Sequence, residues 1–206
     1  MNFKRLVVPA VGLLIGFTPY LYAQLGEITT NYSLVMYNPA ESLAGGRNLN
    51  GGGGSIGITL GSYLTMKGEF QRTATTTFTY HLPNTPNSTE GTYQSQGGMF
   101  TYLFGPQFNL PIARKRLFGE ALFGGANTDA YANLFRNAHV TGLSASKVGF
   151  AMAFGGGIDF EVSPHVGLRA AQFDYFMTRY EWKPLGINNQ SNFRYQAGLL
   201  FVIGKM

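Results

Sequence analysis

The sequence predicts an all-β fold: a closed eight-stranded antiparallel transmembrane β-barrel, with short periplasmic turns at one end and long extracellular loops at the other. Three observations point there. Apolar and polar residues alternate at period two through eight segments, the connections between those segments alternate short and long, and charge is scarce. At 206 residues the chain is one domain by size, 45% hydrophobic and 15% aromatic, yet only 12% charged. Soluble domains average about 25% charged residues. Too few charges are present to cover a large water-facing surface.

The N-terminus reads as an export signal. "MNFKRLVVPAVGLLIGFTPYLYAQ" places Lys4 and Arg5 before an apolar run and Ala23 before Gln24, so residues 1–23 are expected to be removed and 24–206 to form the barrel. A retained anchor helix is the alternative; Pro9, Gly12, Gly16 and Pro19 interrupt it. Removing the two cations lowers the formal charge from +5 to +3. With no cluster of Lys and Arg interleaved with aromatics, nucleic acid is not an expected partner. Cysteine is absent, which excludes disulfides, thiolate metal sites, a cysteine nucleophile and a lipidated cysteine.

The strands follow in order. The first, about 27–37, sets Ile28, Tyr32, Leu34 and Met36 against Glu27, Thr29, Asn31 and Ser33. The second, about 53–62, sets Ile56, Ile58 and Leu60 against Ser55, Gly57 and Thr59, and the preceding "NLNGGGGSIG" is expected to be a flexible loop, since no Gly-Lys-Ser/Thr follows to make it a phosphate loop. The third, about 64–80, sets Leu64, Met66 and Phe70 against Lys67, Glu69 and Gln71; the fourth, about 98–110, sets Phe100, Tyr102, Phe104 and Phe108 against Thr101, Gly105, Gln107 and Asn109. The fifth, about 116–127, puts Leu117, Ala121 and Phe123 opposite Glu120. The sixth and seventh lie within "KVGFAMAFGGGIDFEVSPHVGLRAAQFDYFMTRY", 147–180, and the eighth, about 192–203, alternates Phe193, Tyr195, Leu199, Phe201 and Ile203 with Asn192, Arg194 and Gln196. In the seventh, Gly167 and Arg169 are odd-numbered but Gln172 and Asp174 even, so a bulge near Ala170 and Ala171 is expected to keep all the polar ones inside.

An eight-stranded barrel is only wide enough for side chains to fill. The polar face therefore predicts a lumenal charge network of Lys67, Glu69, Glu120, Asp159, Glu161 and Arg169 in the periplasmic half, with Asp174 and Arg194 nearer the loops; a paired-charge plug is expected ahead of a gated pore. Aromatics gather near the loop ends, Phe78, Tyr80, Phe100, Tyr102, Tyr180, Trp182, Phe193 and Tyr195, as an outward interfacial girdle. Arg72 is expected to face outward near lipopolysaccharide phosphates, while Arg114, Lys115 and Arg116 read as a solvated turn. Of the histidines, His165 reads as a turn residue; His81 with Ser88, or His139 with Ser144 and Ser146, have no recognisable catalytic spacing, and no second ligand is spaced for a metal. No catalytic, cofactor-binding or metal site is expected, and no cofactor.

"YLFGPQFNL" (102–110), "FGEALFGGA" (118–126), "FAMAFGGGIDFEVSPHVGLRAAQFDYFMTRY" (150–180) and "NNQSNFRYQAGLLFVIG" (188–204) resemble small bacterial outer-membrane β-barrels of the OmpA/OmpX type and the outer membrane beta-barrel domain family. The resemblance implies an eight-stranded barrel in the outer membrane, both mature termini periplasmic, inserted by the outer-membrane assembly machinery and in contact with outer-membrane lipid and lipopolysaccharide. It implies no enzyme activity. Such barrels commonly end in an aromatic residue; here the end is Ile203-Gly204-Lys205-Met206, and Phe201 is the candidate assembly signal. A structural or surface-interaction role is the leading expectation, with a lipid-modifying enzyme, a narrow channel and a soluble lipocalin-like binder as alternatives.

Overall fold

The computed structural model of the protein describes residues 25–37, 47–74, 76–82, 84, 90–129, 147–182 and 187–203, and ten strands form among them. They are β1 (Leu25–Tyr37), β2 (Arg47–Leu60), β3 (Leu64–Thr73), β4 (Thr76–Leu82), β5 (Gly91–Gly97), β6 (Met99–Ile112), β7 (Lys115–Thr128), β8 (Lys147–Ser163), β9 (Val166–Trp182) and β10 (Ile187–Ile203). Eight close into a barrel in the order β1-β10-β9-β8-β7-β6-β3-β2, and β4 and β5 form a separate two-stranded sheet. Each barrel strand runs antiparallel to both neighbours; β1, for example, pairs Ile28 with Phe201 of β10 and with Ile56 of β2. Closure leaves no unpaired edge, the condition a strand structure must meet to stand in hydrocarbon. The expected signal segment, His139, Ser88, Ser144, Ser146 and the last three residues lie outside the described residues.

The period-two pattern sorts the wall. On β6, Met99, Thr101, Leu103, Gln107 and Asn109 are buried, while Phe100, Phe104, Phe108 and Leu110 are exposed. On the outside the large residues are mostly apolar, Ile56 being 61% exposed, Phe108 61% and Phe173 50%, with Arg72 and Arg179 exposed toward the loop end. Inside, the buried set is dominated by Glu, Asp, Arg, Lys, Gln, Asn and Thr. A water-soluble sandwich or lipocalin has the reverse arrangement; an apolar exterior around a polar interior is that of a membrane-spanning barrel.

Two elements differ from the expectation, and a third shows the expected bulge. β2 begins at Arg47, so the glycine run is not a loop: Gly51, Gly52, Gly53 and Gly54 pair on one side with Ser33, Tyr32, Asn31 and Thr30 and on the other with Thr73, Arg72, Gln71 and Phe70. The third strand leaves the barrel at Thr73. The alternation continues into Thr76–Leu82, but those residues pair with Gly91–Gly97, so Phe78 and Tyr80 belong to a hairpin and not to the barrel's girdle. Local pairing satisfies the same β-prone Thr-rich segment as a longer barrel strand would, and period two cannot tell them apart. In β9, pairing with β8 shifts between Ile158↔Ala171 and Asp159↔Arg169, which makes Ala170 the extra residue of a bulge. It carries Arg169 and Gln172 to the same side of the wall, where both are buried.

Candidate functional site

The bulge sets up the centre of the lumen. Arg169 Nε donates to Asp159 Oδ1 at 2.8 Å and its Nη2 to Oδ2 at 3.1 Å, the two-pronged arrangement a guanidinium makes with a carboxylate. Its guanidinium also lies 4.1 Å from the centroid of the Phe118 ring. Asp159 is shared: Arg116 Nη2 reaches Oδ2 at 2.7 Å, and Arg116 Nη1 reaches Glu27 Oε2 at 2.7 Å. A second cluster stands nearer the loops. Lys67 lies 3.1 Å from Glu69 and 2.9 Å from Glu120, and Arg194 lies 2.6 Å from Glu69 and 2.8 Å from Asp174.

Gln172 joins the two clusters. Its Oε1 accepts from Arg169 Nη1 at 3.0 Å, while its Nε2 donates to Glu120 Oε1 at 2.8 Å and to Asp174 at 3.0 and 3.1 Å. Five carboxylates, Glu27, Glu69, Glu120, Asp159 and Asp174, thus meet four cations, Lys67, Arg116, Arg169 and Arg194, all of them buried except the half-buried Arg116. Such pairs contribute little net stability once desolvation is counted, but losing one partner leaves a buried charge uncompensated. The network therefore fixes one arrangement of the lumen more than it raises the stability of the fold.

Glycines make the long bridges. The Gln172–Glu120 hydrogen bond runs from β9 to β7, over β8, whose residues at those levels are Gly155, opposite Glu120 and Asp174, and Gly157, opposite Phe118 and Gln172. A Cβ on Gly155 would stand 2.2 Å from Asp174 Oδ1, and one on Gly157 2.7 Å from Phe118 Cζ. Likewise Gln71 Nε2 on β3 donates to Asn31 Oδ1 on β1 at 2.7 Å, above Gly53 of β2, and Lys67 of β3 reaches Glu120 of β7 past Gly105 of β6. Strands two apart in a sheet are roughly 10 Å apart, too far for these contacts if a side chain stood between.

On the loop side the charges give way to apolar and small polar side chains: Leu103, Leu122, Ala153, Phe176 and Thr178 are each 0% exposed. The gap beside Arg194, lined by Ser33, Val35, Gln71, Thr73, Met99, Thr101 and Phe176, measures about 10 Å³, about the space of one water. That is a packing gap and not a bore.

The structure brings together seven of the eight predicted lumenal charges. Glu161 stands apart, half-buried near the β8–β9 turn, with no ion pair among the described residues. Glu27 and Arg116 were not foreseen. Arg116 corrects the reading of a solvated turn: only Ala113 and Arg114 form the turn, Ala113 with φ 52°, and Arg116 is already the second residue of β7 and points inward. Gln172, Gln196 and Gln71 were visible only as polar residues on the right face. The lumen-facing glycines were the overlooked signal, since a bare position on one strand marks where its two neighbours meet.

Tyr180 is the other correction. It is 0% exposed and faces the lumen, because the bulge reverses the parity of every later residue in β9. Phe100, Tyr102, Phe193 and Tyr195 do stand outside, and Phe193 and Tyr195 each pack on Phe173. Trp182 is the last residue of β9. Arg72 is exposed on the outer face, one residue from the loop end of β3. His165 occupies the β8–β9 turn, and His81 Nδ1 lies 3.0 Å from Thr92 Oγ1 in the hairpin.

An apolar exterior, a closed eight-stranded ladder and a lumen filled by ion pairs define a transmembrane β-barrel of the small, side-chain-filled kind. Solved structures with this fold are outer-membrane proteins. Neisserial surface protein A matches over 85% of this chain and 96% of its own, at 12% identity and a TM-score of 0.56; OprG from Pseudomonas aeruginosa matches over 88% and 97%, at 12% identity and 0.53. At that identity the likeness concerns the fold. No protein-family model and no curated protein sequence matches the chain.

Proposed function

We propose that the protein is an outer-membrane barrel with a structural or surface-interaction role, both mature termini in the periplasm after removal of the signal segment, and its long loops outside. The observation that carries this reading is the lumen. Among the described residues its buried charges pair with one another, which supports a filled interior over a path for solutes and directs the functional reading to the outer wall and the loop end. The hairpin β4–β5 extends that end. Outer-membrane lipid and lipopolysaccharide are the partners of the wall, and Phe201, 41% exposed near the end of β10, is the aromatic offered to the assembly machinery.

Reconstitution into planar bilayers and lipid vesicles tests this reading. No steady conductance and no change in lipid composition are expected. A large steady conductance would make it a channel, and deacylated or transferred acyl chains would make it an enzyme.

A further inference from the structure

On the outer wall near the loop end, Tyr32, Gly52, Arg72 and Phe100 stand side by side at one level of β1, β2, β3 and β6. All four are exposed, Tyr32 by 52% and Phe100 by 36%. Asn50, the next outward residue of β2 toward the loops, accepts the Tyr32 hydroxyl at 2.8 Å, which leaves its amide nitrogen as a donor. Gly52 keeps the space between Tyr32 and Arg72 open, for a Cβ built there would meet only the Asn31 carbonyl oxygen, at 3.2 Å.

Among the described residues Arg72 has neither an acceptor nor an anion beside it. The outward residues described on β1, β2, β3 and β6 include no carboxylate, and Phe70, 42% exposed, and Phe100 flank it. A guanidinium on the apolar wall of a membrane barrel is costly, less so near the interface, and calls for an external anion. Phosphate suits it, because a guanidinium binds two phosphate oxygens at once. Below the notch, Gly54 lies between Thr30 and Phe70, so β2 stays bare for two outward positions until Ile56, which is enough to seat an acyl chain against the wall.

We infer that Arg72, Asn50 and Tyr32 form a binding site for the phosphorylated headgroup of an outer-leaflet glycolipid, with one acyl chain lying along Gly52 and Gly54. The site rests on the proposed orientation, in which the loop end faces the outer leaflet.

The test is native mass spectrometry of the protein folded in detergent micelles, with bis-phosphorylated lipid A, dephosphorylated lipid A and phosphatidylglycerol as probes. Every variant is first shown to keep the heat-modifiable barrel. Bis-phosphorylated lipid A should bind in preference to the other two. Arg72→Ala should weaken it at least tenfold and Arg72→Lys by less; Gly52→Leu, which fills the notch and leaves the guanidinium in place, should match Arg72→Ala. Lys115→Ala, at the opposite rim, should change nothing. Unchanged binding by Arg72→Ala would show that the side chain only reaches for water, and equal binding of either control lipid would remove the phosphoglycolipid; each overturns the site. The orientation is tested apart, by adding protease to whole cells: cleavage at the β6–β7 turn would place the notch in the inner leaflet and overturn the glycolipid as its ligand, even if binding in micelles survived.

Discussion

Arg169 holds Asp159 with two hydrogen bonds, covers Phe118 and reaches the second cluster through Gln172. Removing one member of a buried pair costs about 3 to 5 kcal/mol, mostly for the charge left behind. Arg169→Ala should therefore lower the urea midpoint of unfolding. The loss should sit toward the lower end of that range, since Arg116 still reaches Asp159 at 2.7 Å. A double-mutant cycle with Asp159→Asn should give a coupling above about 1 kcal/mol, as residues sharing a network do not add; additive effects would mean the pair is decorative. Gly157→Ala is the matching steric prediction. Its Cβ would fall 2.2 Å from the Ala171 carbonyl oxygen and 2.7 Å from Phe118 Cζ, so unfolding by urea should show a loss of about 1 to 3 kcal/mol, the usual effect of overpacking. Most lumenal charges could be placed from sequence because strand parity alone decides which face a residue joins. Glu27 could not be assigned a partner and Arg116 was misread, since their pairing depends on how far β1 and β7 extend at the turn end, and "PIARKR" looks the same as a turn or as the start of a strand.

Among the elements, β9 and the β4–β5 hairpin depart most from simple alternation. The β9 bulge was legible, because Arg169 and Asp174 have opposite parity and one of them would otherwise face lipid. Its consequence for Tyr180 follows from the same reversal. The hairpin was not legible: a Thr-rich strand pairing with a neighbour in the barrel and one pairing locally have the same sequence. At its base the hairpin joins the barrel through Ala74 N to Asn50 O, Asp129 N to Gly98 O and Gly98 N to the Asp129 carboxylate. Replacing residues 76–97 by a short Gly-Ser linker should leave the urea midpoint of the barrel unchanged within about 0.5 kcal/mol, the additivity limit for independent sites. A large loss would show that the hairpin packs into the loop-side lumen. In whole cells, proteinase K should cut within 83–90 and spare the β6–β7 turn, and the reverse would invert the topology.

At the scale of the molecule, two surfaces have exchanged the roles they have in a soluble protein. The wall presents Ile, Leu, Phe and Tyr outward over eight strands, and the interior holds the ionic groups, a division that is stable only with hydrocarbon outside and partners inside. That much was legible from scarce charge, period two and the rhythm of the connections; the continuity of the ion pairs across the lumen was not, because it depends on which bare positions let side chains from alternate strands touch. Closure accounts for the resistance such barrels show to detergent, as no edge is free where the ladder could begin to open. The most direct measurement is migration on a sodium dodecyl sulfate gel of membrane-extracted protein, unboiled beside boiled. A closed barrel predicts two distinct positions that merge on heating; identical migration, with recovery of the protein in a soluble fraction without detergent, would contradict it.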